Sequence, residues 1–198
     1  MTAHTPAYPL RAARLESRIG EIVAVVDGHG ALVYLDFNEK TGPTPPPGPT
    51  DWRGHPVAWR APLDDAGLRK VAAQIEEYFA GSRTDFDLPL APIGNGFHQS
   101  VWHQLLRIPY GHTISYGELA ARLKMPNGAR AVGRANGHNP IAIVIPCHRV
   151  IGADGKLTGY SGGIERKAAL LALEKASTPF GQHTLPLDIA PGATYRKK

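Results

Sequence analysis

The hydrophobic pattern of this chain changes character near residue 91, from mixed strand and helix periods to a mainly helical one, and that change limits the folds open to it. Before it, apolar residues alternate or cluster in short runs at residues 10–15, 21–26 and 32–37. Arg18-Ile19-Gly20 and Asp27-Gly28-His29-Gly30 separate these runs, so the pattern predicts three strands of a β-meander. Asp64-Asp65 then opens a helical stretch in which Val71, Ile75, Tyr78 and Phe79 share one face, with Gly81 after its end. Phe86-Asp87-Leu88-Pro89-Leu90 reads as one more short strand, and residues 91–96 as a linker. Beyond the linker the apolar spacing is helical. The expected organisation is an α/β domain over residues 1–90, the linker, a mainly α domain over 97–176, and a Pro-rich, mobile tail over 177–198. Residues 41–50, rich in Pro and Gly, are expected to form an extended surface loop.

In the second half, Phe97, Val101, Leu105 and Ile108 recur at helical spacing until Pro109-Tyr110-Gly111. Ser115-Tyr116-Gly117-Glu118 has the form of a capping box and predicts a helix to about Lys124, broken by Met125-Pro126. Asn127 is placed to cap a following helix over residues 128–136, and Gly137 to end it. Two short helices with a tight turn make a helix-turn-helix. The second of them, through Ala129-Arg130-Ala131-Val132-Gly133-Arg134-Ala135, is built of small residues and two arginines. Two readings of that surface stay open on composition alone: close approach to a neighbouring helix, or a narrow DNA groove with arginines reaching inward. A last helix over 164–175 carries Leu170, Leu171 and Leu173, with Glu174 near its end.

The only cysteine lies in Ile145-Pro146-Cys147-His148-Arg149-Val150. The apolar run 141–145 predicts a buried strand, which Pro146 breaks by removing a backbone donor. Cys147 therefore stands at a strand break beside an imidazole and a guanidinium, and cationic neighbours lower a thiol pKa. An inert, buried cysteine is the competing reading. The flanking Pro, His and Arg favour the reactive one. A single cysteine forms no internal disulfide and no Cys-rich zinc site, so neither metal nor cofactor is expected. The glycines of Thr158-Gly159-Tyr160-Ser161-Gly162-Gly163 allow close backbone approach to a ligand. His29 and His55 read as isolated surface histidines. The formal net charge of +5 is compatible with a polyanionic partner without requiring one. No apolar run approaches the roughly 18 residues of a membrane span. With no signal-peptide pattern at the start, a cytoplasmic protein is expected.

Taken together, these motifs resemble those of the O6-alkylguanine-DNA alkyltransferases, also called methylated-DNA–protein-cysteine methyltransferases. The match is dense from Phe97 to Glu174, through Val101-Trp102, Ile108-Pro109-Tyr110-Gly111, Ser115-Tyr116, Ala129-Arg130-Ala131-Val132-Gly133, Asn139-Pro140, Pro146-Cys147-His148-Arg149-Val150 and Tyr160-Ser161-Gly162-Gly163. It implies a ribonuclease-H-like sheet with a helix in the N-terminal α/β domain, ahead of the helix-turn-helix domain. Some relatives hold a structural zinc there, for which this chain lacks the cysteines. The implied partner is double-stranded DNA containing O6-alkylguanine, met by a monomer.

The implied reaction moves an alkyl group from guanine O6, and from thymine O4, onto Cys147, once per molecule. Adjacent side chains of an extended segment point to opposite faces, which makes a direct Cys147–His148 contact awkward. The resemblance supplies a water between them, with Glu174 fixing the imidazole. Tyr116 would protonate the departing base at N3 and suits a phosphate contact. Asn139 would join the helix-turn-helix to the cysteine segment as a structural hinge. Carbonyls of Cys147 and Val150 would hold the guanine amino group, Ser161 N–H would donate to O6, and Tyr160 would wall the pocket. Arg149 reads as a structural pair former. Arg130 would fill the gap left by a flipped nucleotide, and the Ala129, Ala131 and Gly133 face would lie in the minor groove.

Three other readings compete. A lesion sensor without transfer needs no reactive cysteine, and Cys147 counts against it. A Cys-His-Glu hydrolase needs no arginine-bearing helix-turn-helix. A regulator fused to a methyl-sensing domain needs a second cysteine.

Overall fold

The computed structural model describes residues 10–37 and 65–175; the Pro-rich stretch 41–50, His55 and the tail lie outside the described residues. Strands β1 (Arg11–Leu15), β2 (Ile22–Val26) and β3 (Leu32–Phe37) form an antiparallel sheet in the order β1-β2-β3. Every residue of β2 is buried, because the sheet is covered on both faces. Ile22, Ala24 and Val26 enter the main core, while Val23 and Val25 meet Leu10, Ala12 and Val33 in a smaller cluster on the other side.

Helix α1 (Asp65–Phe79) lays Leu68, Val71, Ile75 and Tyr78 onto the main core, the stripe expected from its 3.6-residue period. Gly81 lies just beyond the helix with φ of 77°, where a side chain would be strained.

Residues 86–90 are not a strand. Asp87 N donates to Gln74 Oε1 at 2.9 Å and Asp87 O accepts from Gln74 Nε2 at 3.1 Å, so a side chain of α1 takes the groups a ladder would use. Pro89 has no N–H to offer. One parallel bridge, Leu32 to Leu90, remains.

Helix α2 (Gly96–Leu105) starts at Asn95, whose side chain accepts from His98 N. It ends three residues earlier than its apolar spacing suggests, because Ile108 N tightens onto Leu105 O at 2.9 Å. A two-residue strand β4 (Ile114–Ser115) leads into α3 (Tyr116–Arg122), and the capping box is complete in both directions. Helix α4 (Ala129–Gly137) is not capped by Asn127. Gly128 holds the cap position, its N–H bound to Met125 O at 2.8 Å, and a Cβ there would lie 2.8 Å from Met125 Cβ. The α3–turn–α4 unit packs against α2, with Trp102 Nε1 donating to Ala135 O at 2.9 Å.

The apolar run 141–145 is buried as expected but is not a strand. Asn139 organises it instead: Oδ1 accepts from Ile141 N at 3.0 Å and Nδ2 donates to Ile145 O at 2.8 Å. The run curls around that amide, with Ile145 N bonded to Ile141 O at 3.0 Å and Ile143 at a φ of 69°. A β-branched residue at positive φ costs on the order of 1–3 kcal/mol, which the surrounding contacts hold in place. The run touches the N-terminal sheet at one point, where Leu35 N donates to Pro140 O at 2.9 Å and Ala142 N to Leu35 O at 2.6 Å.

Cys147–Arg149 form a single 3-10 turn, followed by β5 (Val150–Ile151), which pairs in parallel with β4. Helix α5 (Ile164–Leu173) closes the described fold, with Glu174 as its C-cap. No helix among the described residues is long and apolar enough to cross a membrane.

The linker passes so close to α2 that a Cβ on Gly94 would run into the Trp102 ring. Gly94→Ala is expected to destabilise the fold by about 1–3 kcal/mol through overpacking. Denaturant unfolding checks this, and an unchanged midpoint would refute the close approach.

Candidate active site

Cys147 is 3% exposed, at the start of the 3-10 turn. Helix α4 reaches it directly, since Asn136 Nδ2 donates to Cys147 O at 3.3 Å. The neighbouring cations do not make it acidic. Burial pushes the thiol up to about 11, against the opposing pull of the Asn139 amide and the Lys167 charge. The sequence-based expectation of a lowered value fails for a structural reason. Arg149 is turned away into an ion pair, and the His148 ring is committed to the same carboxylate. The Cys–His pair also lies in a 3-10 turn rather than an extended segment, so strand alternation does not govern where the two side chains point.

That carboxylate is Glu174, 2% exposed. His148 Nε2 lies 2.9 Å from its Oε1. Arg149 donates to it twice, Nε to Oε2 at 2.8 Å and a terminal nitrogen to Oε1 at 2.9 Å. Tyr78 O–H donates from α1 at 2.8 Å, and Gly111 N–H at 3.3 Å. Burial alone would raise the Glu174 carboxyl, but the hydrogen bonds and charges of His148 and Arg149 overcome it and hold the group down to about 2. Because a carboxylate only accepts, His148 carries its proton on Nε2 and leaves Nδ1 unprotonated. That Nδ1 is buried with no protein partner. Burial lowers the His148 pKa despite Glu174, so the ring is a neutral base near pH 7.

Tyr116 O–H donates to Thr158 O at 3.2 Å and Gly159 O at 3.3 Å, and burial raises its pKa. Its ring faces Gly133, where a Cβ would sit 3.5 Å away in ordinary contact. Tyr160 O–H is buried without a partner, whereas Ser161 is exposed. Val150 O accepts from Lys167 Nζ at 2.6 Å. Ala129, Arg130 and Ala131 are exposed on α4, and Gly133 is half-buried. The structure thus brings Cys147, His148, Glu174 and Asn139 into one buried cluster. It leaves Arg130 on the outer surface of the helix whose Asn136 touches the cysteine.

Two residues of this cluster were not singled out by sequence as site residues. Tyr78 was read only as core, although a tyrosine on a fully buried stripe needs a partner for its hydroxyl. Lys167 is 0% exposed and also binds Thr158 O at 2.7 Å. Its signal was spacing: Lys167, Leu170, Leu171 and Glu174 fall on one face of α5. Burial lowers its pKa to about 8, against the raising effect of Cys147.

Glu174→Gln keeps the shape but leaves Arg149 buried without its countercharge, a loss on the order of 3–5 kcal/mol. The wild-type carboxyl binds its proton more weakly when folded than when unfolded. Its stabilisation is therefore full above the ordinary value of 4.5 and fades as pH falls toward about 2. Melting temperatures across acidic pH should show this decline in the wild type and a weaker one in the variant. Parallel curves would refute it.

Comparisons with known proteins bear on the fold and the family. The model of the 6-O-methylguanine DNA methyltransferase ribonuclease-like domain matches residues 10–92, and that of the DNA binding domain of the same enzymes matches residues 96–176. The methylated-DNA–protein-cysteine methyltransferase of Mycobacterium tuberculosis is 50% identical over 166 residues, covering 83% of this chain and 92% of its own. That of Methanosarcina acetivorans is 45% identical over 159 residues, covering 80% and 94%. The crystal structure of Mycobacterium tuberculosis O6-methylguanine methyltransferase superposes with a TM-score of 0.72 at 46% identity, over 84% of this chain and 93% of that one. The structure of the Mycobacterium tuberculosis protein OGT in complex with DNA gives 0.70 at 47% identity, over 83% and 92%. The fold is a ribonuclease-like α/β domain followed by a mainly helical DNA-binding domain, and the chain belongs to the methylated-DNA–protein-cysteine methyltransferase family.

Proposed function

We propose that this protein repairs duplex DNA by transferring a methyl or other alkyl group from guanine O6, and from thymine O4, irreversibly to Cys147. The observation that carries the reading is the join between helix and nucleophile. Asn136, facing inward on α4, holds the Cys147 carbonyl, while Arg130 faces outward about 9 Å back along the same helix axis.

In this reading α4 lies in the minor groove through Ala129, Ala131 and Gly133, whose small side chains admit close approach. The degenerate code of that groove suits recognition of damage in any sequence context. Guanine O6 is inaccessible inside the stack, so the nucleotide is flipped out at a cost of a few kcal/mol. Arg130 fills the gap. The nearly complete burial of Cys147 fits a reaction that takes place only once the base has been drawn into the protein.

The thiol proton passes through a water to His148 Nδ1, the nitrogen left free by Glu174. Sulfur then attacks the alkyl carbon. The S–C bond forms as the C–O6 bond breaks, and the bonding pair leaves with the guanine. Tyr116 gives the departing base its proton at N3, while the Cys147 and Val150 carbonyls and the Ser161 N–H hold its polar edge beside Tyr160. A general base is needed because the buried thiol holds its proton. The thioether has no route back, so each molecule acts once. Asn139 serves as the hinge between the helix pair and the cysteine segment. Two domains joined at residues 91–96, acting as a cytoplasmic monomer, complete the proposal; the two family matches change over at that linker.

Incubation with a duplex carrying O6-methylguanine, followed by intact mass, should show a stoichiometric gain of one methyl on Cys147. The Cys147→Ser variant should gain none. Continued turnover without mass change would point to a hydrolase, and binding without transfer to a sensor. Arg130→Ala should slow repair of duplex far more than transfer from the free base. Equal losses would remove the finger role.

A further inference from the structure

A groove between α2 and α4 lies apart from the cysteine cluster. Phe97, His98, Arg130, Ala131, Arg134 and Ala135 line it. Arg130 and Arg134 stand one turn apart on α4, about 6 Å along its axis, and His138 follows after another turn. Among the described residues, neither arginine has an ion-pair partner.

His98 is 8% exposed, and its Nδ1 is fully buried with no protein partner. Its ring is sandwiched by stacking, with Trp102 at 5.5 Å and 23° and His138 at 5.3 Å and 17° between planes. His138 Nδ1 donates to Arg134 O at 2.6 Å, which leaves its Nε2 for another partner. One imidazole of that stacked pair, His98, thus shares the groove with two guanidiniums that have no ion-pair partner among the described residues. The two guanidiniums are like charges one turn apart, and an anion seated beside them would relieve their repulsion.

We propose that this groove binds a backbone phosphate of the duplex, held by Arg134 and His98, away from the reacting base. The inference rests on the DNA-repair reading above and extends it. If Arg130 enters the base stack, α4 is fixed against the DNA. Arg134, one turn further on, is then the guanidinium left to meet the backbone. A phosphate is favoured over a neutral occupant because the groove's charged lining is wholly cationic.

His138 acts on His98 directly, and Arg130 and Arg134, also from α4, line the same groove. In the free protein, burial and then the field of His138 lower the His98 pKa. A phosphate would favour the protonated ring and raise that value, so binding takes up a proton. Affinity for DNA then rises as pH falls through the imidazole range near 6.5.

Fluorescence anisotropy with an undamaged duplex tests this on the full chain, titrating salt at about pH 6 and about pH 8, on either side of the imidazole range. The wild type should bind more tightly and with a steeper salt slope at the lower pH. Arg134→Ala should weaken binding and flatten the logarithmic salt slope by roughly 0.9, the loss of one phosphate contact. His98→Gln should remove the pH difference. Arg134 is exposed, so the Arg134→Ala melting temperature should stay near the wild-type value. Wild-type binding that is unaltered by Arg134→Ala, or a pH difference that survives His98→Gln, overturns the phosphate site. Failure of the wild type to bind duplex at all overturns the DNA reading instead.

Discussion

The carboxylate of Glu174 is the contact on which the rest depends. It is buried and charged, a combination that is stable only when the charge is matched and its lone pairs are filled. Five donor groups meet that demand, drawn from α1, the turn after α2, and the cysteine turn. A single side chain at the C-cap of α5 thereby fixes the tautomer of His148, immobilises Arg149 and ties the N-terminal half to the C-terminal half. Removing the charge would loosen all of these together.

The same concentration of charge explains why Arg149 does not lower the Cys147 pKa. Arg149 is spent on Glu174, and the thiol sits in apolar surroundings that resist ionisation. A free thiolate inside the protein would be open to any electrophile small enough to reach it. In the mechanism proposed above, a thiol that ionises only with help from a neutral imidazole confines reactivity to the moment when a substrate is present, so selectivity arises from desolvation and chemical activation follows later.

Much of this was legible in sequence. The meander, the α1 stripe and the capping box rest on local rules: period, glycine turns, and a Ser–Glu pair three residues apart. The cysteine, its flanking proline and the spacing of its companions pointed to the residues that the structure gathers into one buried cluster. What was missed depended on tertiary partners. The run 141–145 has strand composition, but the Asn139 amide captures its polar groups. Residues 86–90 lose their ladder to Gln74. Asn127 loses the cap to Gly128, whose neighbour Met125 leaves no room for a side chain. The thiol pKa was misread because adjacency in sequence said nothing of where Arg149 and His148 would be drawn. Lys167 and Tyr78 were hidden by their own helical stripes, where polar residues look like interruptions of a core.

The outer edge of β3 has a further meaning. An edge strand exposes peptide groups that can pair with another molecule, and natural sheets cover them by some device. Here Leu32 is covered by residues 89–91 and Leu35 by residues 140–142, two passing pieces of the same chain. The second of these leads directly into the cysteine turn. The strand that would otherwise invite self-association is thus guarded by the segment that leads to Cys147. A disturbance that unseats that segment would uncover an adhesive border as well as disarm the protein.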